Sequence, residues 1–223
     1  MREVIIILSR VPIPGMTKTR LESCLTKGQC AKIHEAFIKD IYETCSRSKR
    51  DIILFYTPDD GVEILKNIMP DQEKFIPQVS GDLGKKMGTA IQESLAMGYD
   101  SCVLMGTDVP TLKLEDIEEA FEVLKTKEVY LKPTFDGGYF IIGMKRANFE
   151  VFDIEGYGHE KVIENTLENL NRLNLSYGIS SCCLDIDEPE DLEKLCEGIK
   201  SGEYRCKNTT EYLVEIGRVE SAG

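Results

Sequence analysis

Short apolar runs alternate with amphipathic stretches along this chain. Val4-Ile-Ile-Ile-Leu8 is β-branched and free of charge, which predicts a central strand buried on both faces. Ile33, Phe37, Ile41 and Cys45 recur at every fourth residue and predict one face of a helix. Asp51–Thr57 predicts a second strand, stopped by Pro58-Asp-Asp-Gly61. Lys74–Gln78 reads as a weaker strand, Gly84–Met97 as a helix and Ser101–Met105 as another buried strand. Leu114, Ile117, Phe121 and Leu124 form a further helical stripe, with Thr111 as the expected cap. Glu128–Lys132 and Tyr139–Met144 predict two strands around Asp136-Gly-Gly138. Ile163, Leu167 and Leu170 mark another helix, Leu175–Leu184 a strand and Glu188–Lys200 a last helix.

Alternation of this kind predicts a layered α/β fold with a mostly parallel sheet. No repeat, low-complexity tract or linker interrupts it before residue 200, so 1–200 reads as one domain. The remainder, 201–223, is polar apart from Tyr212, Leu213, Val214 and Ile216, and reads as a tail or an added edge element.

Charge narrows the choice of partner. With 27 Lys and Arg against 39 Asp and Glu the net charge is −12, the opposite of a nucleic-acid-binding balance. Phosphate ligands stay open, because they need only a few placed cations or a metal held by carboxylates. No apolar run approaches the roughly 20 residues of a membrane span. Val4–Leu8 is too short for a signal-peptide core, so a cytoplasmic protein is expected. The eight cysteines include no C-x-x-C pair and read as reduced thiols rather than a disulfide frame or a zinc cage.

In an open α/β sheet ligands gather at the carboxyl ends of the strands. After the first predicted strand runs Ser9–Leu21, stiffened by Pro12 and Pro14, freed at Gly15, and carrying Arg10, Lys18 and Arg20. It is neither a Rossmann fingerprint nor a Walker A loop, since Thr17 stands where Walker A has glycine before its lysine. Cations beside backbone amides suit a di- or triphosphate. Beyond Met105, Gly106-Thr107-Asp108 offers a carboxylate able to hold a divalent cation that bridges phosphates. Gly81-Asp82-Leu-Gly84 reads as a helix start, with Lys85 and Lys86 placed to attract an anion. On spacing alone Asp136-Gly-Gly138 is a hairpin turn. Acids after Pro189 suit a helix dipole, whereas Asp185 and Asp187 have no such explanation and either could enter the crevice. His34, beside an apolar stripe, reads as structural; His159, in the Gly-rich stretch 155–160, could touch substrate.

Five blocks in this order carry a resemblance: Pro12–Leu21, Gly81–Met87, Gly106–Pro110, Asp136–Gly143 and Asp185–Leu192. Over roughly residues 3–200 the chain resembles the bacterial nucleotide-diphospho-sugar transferase-like family, also described as selenodomain-associated glycosyltransferase-like proteins. The resemblance implies a GT-A-type three-layer α/β/α fold with a mixed, mostly parallel sheet. It implies nucleotide contacts from Ser9, Arg10, Gly15, Lys18, Thr19, Arg20, Gly81, Asp82, Lys86 and Thr107. Asp136-Gly-Gly138 becomes an acceptor-side element, with Gly137, Gly138, Tyr139 and His159 at the acceptor. Asp108 and Asp187 match positions that hold Mg²⁺ or Mn²⁺, and Asp108, Asp136 and Lys18 form the implied catalytic set. One departure is Tyr157-Gly-His-Glu160, where many members carry a Trp-Ser-Thr-like segment, so acceptor specificity stays open.

Two reactions fit these residues. One is metal-dependent glycosyl transfer from a nucleotide-sugar to a small acceptor, with Asp136 as general base. The other is nucleotidyl transfer from a nucleoside triphosphate with release of pyrophosphate. A non-catalytic nucleotide-binding module is the alternative of another class.

Overall fold

The computed structural model describes residues 1–220. Seven strands form one sheet in the order β3-β2-β1-β4-β6-β5-β7. They are β1 (Glu3–Arg10), β2 (Asp51–Thr57), β3 (Phe75–Pro77), β4 (Ser101–Met105), β5 (Val129–Pro133), β6 (Tyr139–Met144) and β7 (Tyr177–Ile179). Strand β1 runs parallel to β2 and β4, β2 to β3, and β5 to β7. Only β6 is reversed, antiparallel to both β4 and β5, because the five residues 134–138 allow a hairpin return but no helical crossover. The sheet is therefore mixed and mostly parallel.

Side chains of β1 sort by the period of a strand. Ile5 and Ile7 enter a core with Ile38 and Ile41 of α1 (Lys27–Arg47), Leu65 of α2 (Val62–Ile68) and Phe121 of α4 (Leu114–Thr126). Val4 and Ile6 enter the opposite core, with Met87 and Ile91 of α3 (Leu83–Ala96) and Leu170 of α5 (Val162–Arg172). Each of these four is at most 1% exposed, a burial that contributes roughly 1.5–3 kcal/mol per side chain. Two apolar faces on one charge-free strand thus produce the three layers. A third core joins Leu21, Ile33 and Phe37 to Leu192 and Leu195 of α6 (Pro189–Ser201) and Leu213 of α7 (Lys207–Glu215).

Several local expectations change. Of the strand expected over Leu175–Leu184, only Tyr177–Ile179 pairs continuously, and Cys183 then makes an isolated bridge to Thr134. Between them lie Ser180-Ser181-Cys182 on the sheet's edge, with no apolar face to bury. Thr111 does not cap α4; Lys113 does, its amide donating to Asp116 Oδ2 at 3.0 Å. Helix α2 went unpredicted, being only seven residues long. Residues 207–215 form a helix packed on α1. Its first amides are held by buried Asp40, which accepts from Asn208 N (2.8 Å), Thr209 N (2.8 Å) and the Thr209 hydroxyl (2.6 Å). All eight cysteines are free thiols. No helix among the described residues is long and apolar enough to cross a membrane.

Candidate active site

The carboxyl ends of β1, β2 and β4 and the β5–β6 turn open onto a cleft of about 650 Å³, within the range of small-molecule sites. The loop after β1 forms one wall. Within it Lys18 takes a left-handed backbone (φ 50°), an uncommon conformation for a side-chain-bearing residue, usually retained only where the surroundings impose it. Here those surroundings are visible. The Lys18 ammonium is buried and donates to Asp108 Oδ1, to Ile186 O at 2.6 Å and to Asp187 Oδ1 at 2.8 Å. Ile186 N in turn donates to Asp108 O at 2.8 Å, so one lysine and one backbone bond join three distant segments.

Electrostatics follow from that triad. Burial alone would lower the Lys18 pKa, but the charges of Asp108 and Asp187 outweigh it and hold it above the usual value. For Asp187 burial pushes upward, and Lys18 wins, keeping the carboxyl below its ordinary range. Asp185 has no such partner among the described residues. Burial first, then the Asp136 carboxylate, raises it to about 7.

His34 spans the floor between Thr17 Oγ1 (2.5 Å) and Thr107 Oγ1 (2.8 Å). Burial, helped by the charges of Lys18 and Arg10, lowers its pKa to about 3, so it is a neutral hydrogen-bonding strut. The opposite wall is the Asp136 turn. Asp136 Oδ1 accepts from the Thr134 hydroxyl (2.5 Å) and Gly138 N (2.9 Å). Gly137 (φ 89°) lies so close to the Glu160 backbone that a Cβ would overlap it, and its carbonyl accepts from Ile163 N at 2.9 Å. The turn and the Gly-rich stretch carrying His159 are thereby latched together. His159 Nδ1 accepts from Lys161 N at 3.1 Å.

Of the residues singled out in the sequence, Ser9 and Arg10 line the cleft from the end of β1, and Lys18, Thr19 and Arg20 from the loop after it. Gly81 and Lys86 line it from the loop before α3 and that helix's first turn, Thr107 and Asp108 from the loop after β4, and Asp136, Gly138, Tyr139, His159 and Asp187 from the far side. Gly15, Asp82 and Gly137 are not in its lining. Gly15 turns beside Lys27, Asp82 caps α3 by accepting from Lys85 N at 2.8 Å, and Gly137 packs on Glu160. Among the lining residues to which the sequence assigns no contact are Thr17, His34, Gln78 and Asp185. Asp185 had a signal, since Asp-Ile-Asp in an extended segment buries Ile186 (0% exposed) and turns both acids the other way. Gln78 had none.

The donors present suit a hard divalent cation. Lys18 occupies only Oδ1 of Asp108 and of Asp187, and each Oδ2 has no protein hydrogen bond among the described residues. Those residues contain no cage of three or more carboxylate, His or Cys ligands. Magnesium commonly takes one or two protein carboxylates and completes its shell with water and substrate phosphates.

Fold and site together define a class: an α/β transferase of the nucleotidyltransferase and nucleotide-diphospho-sugar transferase type, with cations and carboxylates gathered around one cleft at the strand ends. The chain belongs to DUF2064, the family described as "Uncharacterized protein conserved in bacteria", which matches residues 41–159. It is similar to a candidate nucleotide-diphospho-sugar transferase from Desulfovibrio desulfuricans G20, with TM-score 0.90, 30% identity, and coverage of 96% of this chain and 95% of that one. Among curated proteins it is 25% identical to a 2-phospho-L-lactate guanylyltransferase of Methanocaldococcus sp., over 80% of this chain and 75% of the relative. A cytidylyltransferase of Leptospira borgpetersenii shares the fold at TM-score 0.60 and 17% identity, over 100% of this chain and 98% of that one.

Proposed function

We propose that the chain is a nucleotidyltransferase that moves a nucleoside monophosphate from a nucleoside triphosphate to a small phosphorylated acceptor. The observation that carries this is charge placement. Arg10, Lys18, Arg20 and Lys86 meet Asp108, Asp136, Asp185 and Asp187 across one cleft, so four cations gather there in a chain of net charge −12. The guanylyltransferase relatives, matched over most of their length, point the same way.

In this reading an acceptor phosphate oxygen attacks the α-phosphorus. A new P–O bond forms, the bond from the α-phosphorus to the bridging oxygen breaks, and its electron pair leaves with pyrophosphate. A phosphate nucleophile is already ionised near neutral pH and needs no base. Arg10, Arg20 and Lys86 stabilise the charge that develops on the leaving group. Lys18 holds Asp108 and Asp187 at one point, where their Oδ2 atoms would carry Mg²⁺ or Mn²⁺. Such an ion supplies Lewis-acid neutralisation of phosphate charge when bound. Asp136 shapes the acceptor wall through the Thr134 and Gly138 bonds.

Glycosyl transfer is the second reading, favoured by the description of the Desulfovibrio relative. There the free Oδ2 of Asp136 would accept the proton of an acceptor hydroxyl. The two separate by product. With Mn²⁺ and a panel of phosphorylated small acids, nucleotidyl transfer releases pyrophosphate from a nucleoside triphosphate; glycosyl transfer releases a nucleoside diphosphate from a sugar nucleotide. Asp108→Asn should lower the pyrophosphate rate by about a hundredfold or more, as removal of a group stabilising transition-state charge does. An undiminished rate in that variant would overturn the site.

A further inference from the structure

His34 comes from α1, yet it lies on the floor of the cleft, and the function proposed above gives it no part. Its two ring nitrogens meet two threonine hydroxyls, Nδ1 at 2.5 Å from Thr17 Oγ1 and Nε2 at 2.8 Å from Thr107 Oγ1. All three residues are at most 3% exposed, and all three line the cleft. Thr17 precedes Lys18 and Thr107 precedes Asp108, so this chain of bonds joins the same two loops as the Lys18–Asp108 ion pair.

Three hydrogens serve these two contacts. A neutral imidazole has one N–H and one lone pair, and each hydroxyl has one O–H. Two hydrogens are consumed, and the third stays on whichever threonine accepts from the ring. The contact lengths assign it. At 2.5 Å the Thr17 contact is shorter than N–H···O bonds run and fits a donating hydroxyl, whereas 2.8 Å lies within the N–H···O range. The ring is then the Nε2–H tautomer. Thr107 accepts from it and keeps its own hydrogen, for which the described residues offer no acceptor. A buried donor left in that state costs free energy unless a ligand supplies the acceptor. At the ring the charges of Lys18 and Arg10 outweigh that of Asp187, which favours an anionic one.

We infer that His34 is a positioning residue: by donating to Thr107 it leaves that hydroxyl as a directed donor to a phosphate oxygen of the substrate. This rests on the nucleotidyltransferase reading above and adds a neutral donor, fixed in direction, beside Asp108. Accepting from the ring also polarises the Thr107 hydroxyl and strengthens its own donation.

Two measurements on the full chain test it. The chain has two histidines, so ¹⁵N-histidine NMR at pH 7.5 reads His34 alone once exposed His159 is removed as His159→Gln. Nε2 should carry the proton and Nδ1 the lone pair; the reverse tautomer overturns the inference, and this reading needs no variant of the cleft floor. Calorimetric titration with inorganic tripolyphosphate in Mg²⁺ then probes the donor without involving any base. Thr107→Val should weaken binding about tenfold or more, the scale of one hydrogen bond to a charged group, and Thr107→Ser should restore it. His34→Leu should weaken binding in the wild-type chain and add no further loss to Thr107→Val, because it acts through that hydroxyl. A histidine that merely supports the fold would cost the same in both backgrounds. That outcome overturns the inference, as does undiminished binding in Thr107→Val, and either leaves nucleotidyl transfer standing. Failure of tripolyphosphate to bind the wild-type chain overturns both.

Discussion

His34 shows how a residue can be structural and still decide a site. It reads as a core histidine beside a helical stripe, and it is buried, yet its two nitrogens tie Thr17 of the phosphate loop to Thr107 beside Asp108. Its folded pKa, about 3, lies below the ordinary 6.5. As pH falls the unfolded chain takes up the proton first. The stability contributed by neutral His34 is thus complete above about pH 6.5 and is lost as pH drops toward 3, at up to ~1.4 kcal/mol per pH unit. Urea unfolding between pH 7.5 and 4 should show that slope, and His34→Gln should flatten it relative to wild type. Equal slopes would assign the acid sensitivity to other groups. Lys18 teaches the converse. Its charge and its place after β1 mark it as phosphate-binding, but neither reveals that its ammonium is buried against two carboxylates.

At the scale of elements, apolar runs that meet a core are legible in the sequence, while the short helices α2 and α7 are not. β2, β4 and β6 begin and end where the apolar runs do, since their side chains meet a core on both faces. Helix α7 is nine residues long, too short to hold itself in water, and its own sequence supplies no cap hydrogen bond from Cys206. What makes it a helix is Asp40, far away in the chain, buried and bonded to its first amides. Asp40→Ala should cost about 1–3 kcal/mol, the scale of leaving buried donors unpaired. Hydrogen exchange should accelerate across 207–215 well before it does in β1. Uniform exchange across both segments would mean that α7 folds independently of Asp40.

For the whole molecule, net charge proves less informative than its distribution. A balance of −12 argues against a polyanionic partner, while the cleft holds as many cations as carboxylates. Five of the eight cysteines behave as small apolar residues: Cys30, Cys45, Cys102, Cys196 and Cys206 are buried, and burial raises the thiol pKa of each. Thiol titration in denaturant without reductant should return eight groups, and added reductant should leave the melting temperature unchanged. Fewer than eight would mean that a bridge forms.

Local order came from the sequence by itself, because strand and helix periods are set by backbone geometry that every side chain obeys. Alternating apolar runs determined an α/β sheet, and strand-end logic pointed to Arg10, Lys18, Asp108 and Asp187 as candidates for one crevice, while Asp136, a hairpin turn by spacing, joined them only through the family resemblance. Three-dimensional packing decided everything that depends on contact between distant segments. It buried Lys18 between Asp108 and Asp187, turned Asp136-Gly-Gly138 into a wall latched to the His159 loop, and strung His34 between Thr17 and Thr107. Periodicity records which face of an element is buried. It carries no record of which partner lies across the gap, and the partner sets the charge, the tautomer and the free hydroxyl hydrogen on which recognition depends.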